Sequence, residues 1–168
     1  MLELIQRVNH PVDSSEIHDN LTLPYELRIR GRLRATTDTN RDIGLFLDRG
    51  PVLRDGDLLL AKSGEIVRIR AAEETVVTAR LPQGMPLARL CYHLGNRHVS
   101  LAIGSDEDGT GWVRFPPDHV LEELAERLGA TLKHHTAPFD PEPGAYDKAG
   151  REGHSHSHSH GHHHAHTH

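Results

Sequence analysis

Apolar and polar residues along this chain change rhythm part-way. Through residue 72 the rhythm is two, the period of a strand with one face buried. Leu2 and Leu4, continued by Gln6 and Val8, open such a pattern, and Asn9-His10-Pro11 ends it. Residues 25–34 set Leu27, Ile29 and Leu33 against Arg28, Arg30, Arg32 and Arg34, which predicts one strand with an apolar and a cationic face. That cationic face is either a solvated surface or a docking surface for an acidic peptide. Gly44-Leu45-Phe46-Leu47 is a short apolar run before a turn at Asp48-Arg49-Gly50, and Arg54-Asp55-Gly56-Asp57 predicts a second turn. Residues 58–62 and 65–70 flank Ser63-Gly64 as a hairpin.

At Ala71-Ala72-Glu73-Glu74 the grammar changes. Residues 75–81 are rich in β-branched side chains and predict a strand, which Pro82-Gln83-Gly84 breaks. Pro86 suits a first helical turn. Leu87, Leu90, Cys91 and Leu94 then recur at i, i+3, i+4 and i+7, a helix expected to end on Gly95 as its cap. Val99, Leu101 and Ile103 alternate with Ser100 and Ala102 in a second strand. A turn at Asp106-Glu107-Asp108-Gly109 leads to a third over 111–115. Asp118 falls in the first turn of a second helix with the stripe Leu121, Leu124, Ala125 and Leu128, closed by Gly129. Residues 131–136 make a fourth strand.

The predicted class is α+β: a β-rich N-terminal domain, residues 1–72, then a ferredoxin-like βαββαβ domain, residues 75–147. Pro138, Pro141, Pro143 and Gly144 exclude a helix or central strand there. Residues 148–168 are expected to be a disordered, histidine-rich tail, because nothing in them can form a core.

Composition narrows the function. The formal charge is −5, and one Trp, three Tyr and three Phe leave little for stacking bases, so no nucleic-acid partner is expected. No apolar run is long enough to span a bilayer, and Met1-Leu2-Glu3-Leu4-Ile5-Gln6-Arg7 lacks the features of a signal peptide. A single cysteine rules out an internal disulfide. The expected setting is cytoplasmic, without a membrane partner.

Histidine carries the candidate chemistry. Nine of the sixteen histidines stand in the tail: His154, His156, His158, His160, His162, His163, His164, His166 and His168, spaced by Ser, Gly, Ala and Thr. At that density neutral imidazoles bind late divalent transition metals, and the pattern is not a plain hexahistidine run. In Cys91-Tyr92-His93-Leu94-Gly95-Asn96-Arg97-His98, His93 falls near the end of the first helix and His98 just past the turn. Each could equally be an ordinary structural or exposed residue, and one pair cannot fill the coordination sphere of such a metal. The site would need a second chain, the tail or water. Cys91 lies on the apolar stripe and is expected to pack in the core. His10, His18 and His119 carry no expected metal role. His134 and His135, adjacent on a strand, must face opposite ways.

Tyr92-His93-Leu94-Gly95-Asn96-Arg97-His98, with Asp118-His119-Val120-Leu121 and Ala137-Pro138-Phe139-Asp140-Pro141-Glu142-Pro143-Gly144-Ala145-Tyr146, resembles the urease accessory nickel metallochaperones, the family of urease accessory protein E. Leu53-Arg54-Asp55-Gly56-Asp57 and Gly44-Leu45-Phe46-Leu47 resemble its N-terminal half. The resemblance implies a non-enzymatic carrier of Ni(II), with Zn(II) or Cu(II) taken up in vitro, that serves urease maturation. It implies a homodimer in which the histidine matching His98 gives one ligand from each chain, a peptide- or partner-binding N-terminal domain, and delivery to apo-urease through a GTPase partner. No Walker loop occurs here, so nucleotide hydrolysis would belong to that partner. The alternative is a nickel or zinc buffer without a dedicated client.

Overall fold

The computed structural model describes residues 1–143. Its first half is one six-stranded sheet. The strands are β1 (Leu2–Val8), β2 (Ile17–Leu23), β3 (Arg32–Thr36), β4 (Asp42–Phe46), β5 (Leu58–Ala61) and β6 (Ile66–Ala71). Their order across the sheet is β2-β6-β5-β1-β4-β3. The β1–β4 and β2–β6 pairs are parallel and the others antiparallel. The period-two residues do what the pattern requires. Leu4, Leu21, Ile43, Leu45, Leu59, Val67 and Ile69 all turn inward to one core. The β5–β6 hairpin forms around Ser63-Gly64 as expected, with Gly64 at φ +93°.

The cationic strand predicted over 25–34 does not form. Residues 25–28 instead wind into a single helical turn, α1 (Tyr25–Arg28), directly after Pro24, and extended structure resumes only at Arg32. Arg28 therefore points inward, and its side chain is fully buried. Its guanidinium donates to the carbonyl of Leu53 at 2.8 Å and to that of Phe139, and pairs with the Asp140 carboxylate at 2.8 Å. The helical turn reverses two members of the predicted alternation: Arg28 goes in, to a partner 112 positions away, and Ile29, expected on the apolar face, is left 55% exposed.

The second half is a four-stranded sheet with two helices on one face. In chain order it runs β7 (Glu73–Pro82), α2 (Met85–Gly95), β8 (Ala102–Ser105), β9 (Thr110–Phe115), α3 (His119–Arg127) and β10 (Thr131–Pro138). The sheet order β10-β7-β9-β8, antiparallel throughout, is the split βαβ arrangement of a ferredoxin-like domain. Leu90 and Leu94 of α2 and Leu121 and Ala125 of α3 close on Val77, Ala79, Val113 and Phe115. Asp118 caps α3, its carboxylate accepting the Val120 and Leu121 amides at 2.9 and 3.1 Å. The strand predicted from Val99 is shorter than expected. Leu101 is buried, but regular pairing begins at Ala102, and Ile103 is left exposed on the edge strand β8.

The other face of this sheet is covered from within the chain. Phe139, just past β10, packs with Val76, Ala102 and Ala137. Its ring meets Tyr25 of α1 edge-on at 5.4 Å. The Tyr25 amide donates to Glu74 at 2.8 Å, and Asp140 also receives Arg54 at 3.2 Å. The Glu142 amide then returns to the Leu101 carbonyl at 2.7 Å. Residues 137–142 thus form a strap that joins the two halves. Pro138 ends the edge strand β10, a position where the missing N–H breaks no ladder inside the sheet.

Candidate metal centre

The site is built on the end of α2. Pro86 in its first turn presets φ, and the Leu87, Leu90, Cys91 and Leu94 stripe anchors the helix on the sheet. The helix stops at Gly95 as expected, but the cap position falls one residue later, on Asn96. Gly95 is the last helical residue, and the chain continues through two tight turns, Arg97 N–H to Leu94 at 3.1 Å and His98 N–H to Gly95 at 3.0 Å. The left-handed corner falls on His98, at φ +56°. Besides Asn40, it is the only non-glycine described residue at positive φ. Histidine is among the residues that tolerate this region, but the conformation is still uncommon. The fixed turn holds His98 outside the helix, with its side chain exposed to solvent.

His93 sits half-buried in the last turn of α2. Its ring meets that of Tyr92 edge-on at 5.3 Å, and its carbonyl accepts Arg97 at 3.0 Å. Arg97 thereby steadies the turn. The end of α2 also carries the negative pole of the helix dipole, which favours a cation nearby. Cys91 is half-buried against the core, and burial raises its thiol pKa, so it is a poor thiolate donor.

Three other described histidines, His18, His134 and His135, are engaged elsewhere. His134 and His135 do face opposite ways. His134 lies on the helix side with Nε2 2.8 Å from Glu122 of α3, and His135 lies on the other face with Nε2 2.7 Å from the Thr78 hydroxyl. Burial, together with the charges of Arg114, Lys133 and Arg80, lowers the pKa of His135. His18 accepts the Ile66 amide at 3.2 Å, while His10 and His119 are exposed. Among the described residues, no group of three or more His, Cys, Asp or Glu side chains comes together. The tail candidates, from His154 to His168, lie outside the described residues.

Two family profiles cover the chain almost end to end. The UreE urease accessory protein N-terminal domain matches residues 1–72, and the UreE urease accessory protein C-terminal domain matches residues 74–168. The chain belongs to the UreE family. Relatives named urease accessory protein UreE agree. One from Marinobacter nauticus is 79% identical over 160 residues, covering 92% of this chain and 87% of the relative. One from Pseudoalteromonas translucida is 68% identical over 152 residues, covering 90% and 89%. A third, from Alkalilimnicola ehrlichii, is 47% identical over 148 residues, covering 87% and 85%. The seam between the two UreE profiles coincides with the short link from β6, which ends at Ala71, to β7, which starts at Glu73.

Sequence reasoning missed the residues that hold the two halves of this UreE chain together. Arg28, Arg54 and Asp140 meet only in three dimensions. The one local hint is an aromatic and an acid set among prolines in Pro138-Phe139-Asp140-Pro141. Among the described residues, no helix is long and apolar enough to cross a membrane.

Proposed function

We propose that this UreE protein is a cytoplasmic, non-enzymatic nickel carrier that works as a homodimer in urease maturation. The observation that carries the reading is His98, an imidazole held out on a left-handed turn at the end of a packed helix. One such donor per chain is too few for Ni(II), and a two-fold axis supplies a second. Tyr92, 68% exposed beside His93, offers apolar surface on the same helix that a second copy would cover. The tail imidazoles complete or feed the shared site. Such a site releases its ion more readily than a closed thiolate cage, as delivery requires. The GTPase and apo-urease assembly implied by the family are the recipients. The relatives' names tie them to urease, which favours delivery over a storage role without a client.

Calorimetric nickel titration of the full chain against one ending near Gly153, with mass measured in solution, tests this directly. Truncation is expected to lower the number of ions bound while leaving dimer mass and cooperative unfolding unchanged. Loss of cooperative unfolding would show that the tail belongs to the fold.

A second expected result concerns pH. Nickel must displace protons from imidazole, whose ordinary pKa is about 6.5. Affinity should fall steeply between pH ~7.5 and ~6, by on the order of tenfold or more for a site with several imidazole donors. An affinity that stays level across that range would mean carboxylate or thiolate donors.

A further inference from the structure

The strap covers only part of the sheet face turned away from α2 and α3. Phe139 packs on Val76, Ala102 and Ala137 at one end of that face. At the other end the strand register gathers charge. Thr78 of β7 stands opposite Lys133 of β10 on one side and Arg114 of β9 on the other, and Arg80 follows along β7. Directly opposed residues share a face, as do alternate residues of one strand, so three cations surround one threonine.

At the centre of this group the proton positions can be assigned. Thr78 is fully buried, and its hydroxyl oxygen accepts from Arg114 Nε at 3.0 Å. The same oxygen lies 2.7 Å from Nε2 of His135. Among the described residues the Thr78 hydroxyl has no other acceptor for its own proton, so it donates to His135 Nε2. That direction fixes the neutral ring with its proton on Nδ1. Burial, with the charges of Arg114, Lys133 and Arg80, lowers the His135 pKa in the same sense. His135 therefore stands beside the cations as a further donor, and its Nδ1 has no partner among the described residues.

Arg114 is held in a fixed pose. Its guanidinium lies over the Trp112 ring, 4.7 Å from the centroid, and Nη1 donates to the Pro138 carbonyl at 3.0 Å. The Trp112 ring in turn lies against Gly104, where a Cβ would overlap it. Nη2 of Arg114 is left without a partner among the described residues.

Counter-charge is short here. Among the described residues no carboxylate pairs with Arg114 or Lys133. Asp106 pairs with Arg80 at 2.7 Å, Asp108 lies in the same turn, and Glu74, farther along β7, receives the Tyr25 amide. Burial and then the charge of Arg80 lower the pKa of Arg114, with Asp106 opposing them. Fastening the strap needs Arg114 alone. It does not account for Arg80 and Lys133 beside it, where like charges repel.

We propose that this face binds a phosphate group, free or at the end of a small molecule, between Arg80, Arg114, Lys133 and His135. Phosphate oxygens accept from Arg114 Nη2 and His135 Nδ1, while Lys133 and Arg80 supply further charge. The donors stand on three paired strands, so they are placed before the ligand arrives. The site shares no residue with the nickel centre and stands or falls independently of it.

Trp112 is the single tryptophan of the chain, so its fluorescence reports on the guanidinium stacked against it. The test titrates full-length, metal-free protein at pH ~8, where free imidazoles are neutral, and at constant ionic strength. Inorganic phosphate, phenyl phosphate and sodium acetate are compared by fluorescence and calorimetry. Phosphate should give a saturable response and acetate none. Lys133→Ala removes an exposed side chain that bonds to no described residue, and should weaken binding about tenfold with Tm unchanged. Arg114→Lys keeps the charge, loses the fork and should weaken binding by a similar factor. Arg89→Ala on α2 and Arg32→Ala on β3 should each change it less than about twofold. A response to phenyl phosphate as well would support a phosphate carried on a larger molecule, and a response to inorganic phosphate alone would support the free ion. No saturable response to either, or an equal response to acetate, would overturn the proposal. Weakening by Arg32→Ala but not by Lys133→Ala would overturn it in favour of the arginines of the first sheet.

Discussion

Replacing His98 by Ala is expected to abolish the tightest nickel-binding phase even with all nine tail histidines in place. In a two-fold dimer one substitution removes two donors from the shared site. The tail still offers nitrogen, but each residue it orders to reach the metal costs conformational entropy, whereas the turn at the end of α2 is already formed. The expected loss is more than about 100-fold in affinity, on the order of 3 kcal/mol. His98 also occupies a left-handed corner, so Ala there combines a lost ligand with backbone strain. His98→Asn separates the two, because Asn tolerates the corner but does not supply imidazole. Both variants should lose the phase, and both should remain dimers, since apolar contact and not metal holds the proposed interface. His119→Ala, on an exposed residue at the start of α3, should leave titration unchanged. A tight phase that survives His98→Ala but disappears on tail deletion would make the tail the principal binder and the turn its accessory.

The largest stability effect is expected at Asp140. Its carboxylate receives fully buried Arg28 at 2.8 Å and half-buried Arg54 at 3.2 Å. Removing it strands a charged guanidinium in the interior. Breaking one side of a buried pair costs roughly 3–5 kcal/mol, and the 26% exposure of Asp140 places this case near the lower figure. Asp140→Ala should therefore lower unfolding free energy by about 3 kcal/mol, which is roughly 10 °C in Tm for a chain of this size. Arg54→Ala removes a pair open to solvent and should cost about 1 kcal/mol or less. Thermal and denaturant unfolding of the two variants check the ranking. Equal losses would mean that Arg28 finds water or another acceptor once Asp140 is gone.

Much of the second domain was legible because its signals are local. The stripe of α2, the Asp118 cap of α3, the glycine after α3 and the β-branched run of β7 each lie within one element, and they order the βαββαβ unit without knowledge of the rest. The exposed place of His98 just past a helix was legible too. The start of β8 slipped from Val99 to Ala102, and the cap of α2 moved one residue past Gly95. Helix ends are settled by which amides find carbonyls, and here Arg97 and His98 continued to find them past Gly95.

By itself, then, the sequence determined the class of each half, the order of elements in the second, and the family. Periodicity, capping and composition act over a few residues, so they are written in the order of the chain. Tertiary structure alone decided that Arg28 turns inward while Arg30, Arg32 and Arg34 stay out, because the choice rests on Asp140 and Phe139, more than a hundred residues away. It also decided that β3 lies at an open edge, and that the left-handed corner falls on the histidine and not on the glycine. A fully buried cation is tolerable only where its counter-charge and carbonyl acceptors have already been assembled, and only the folded chain assembles them.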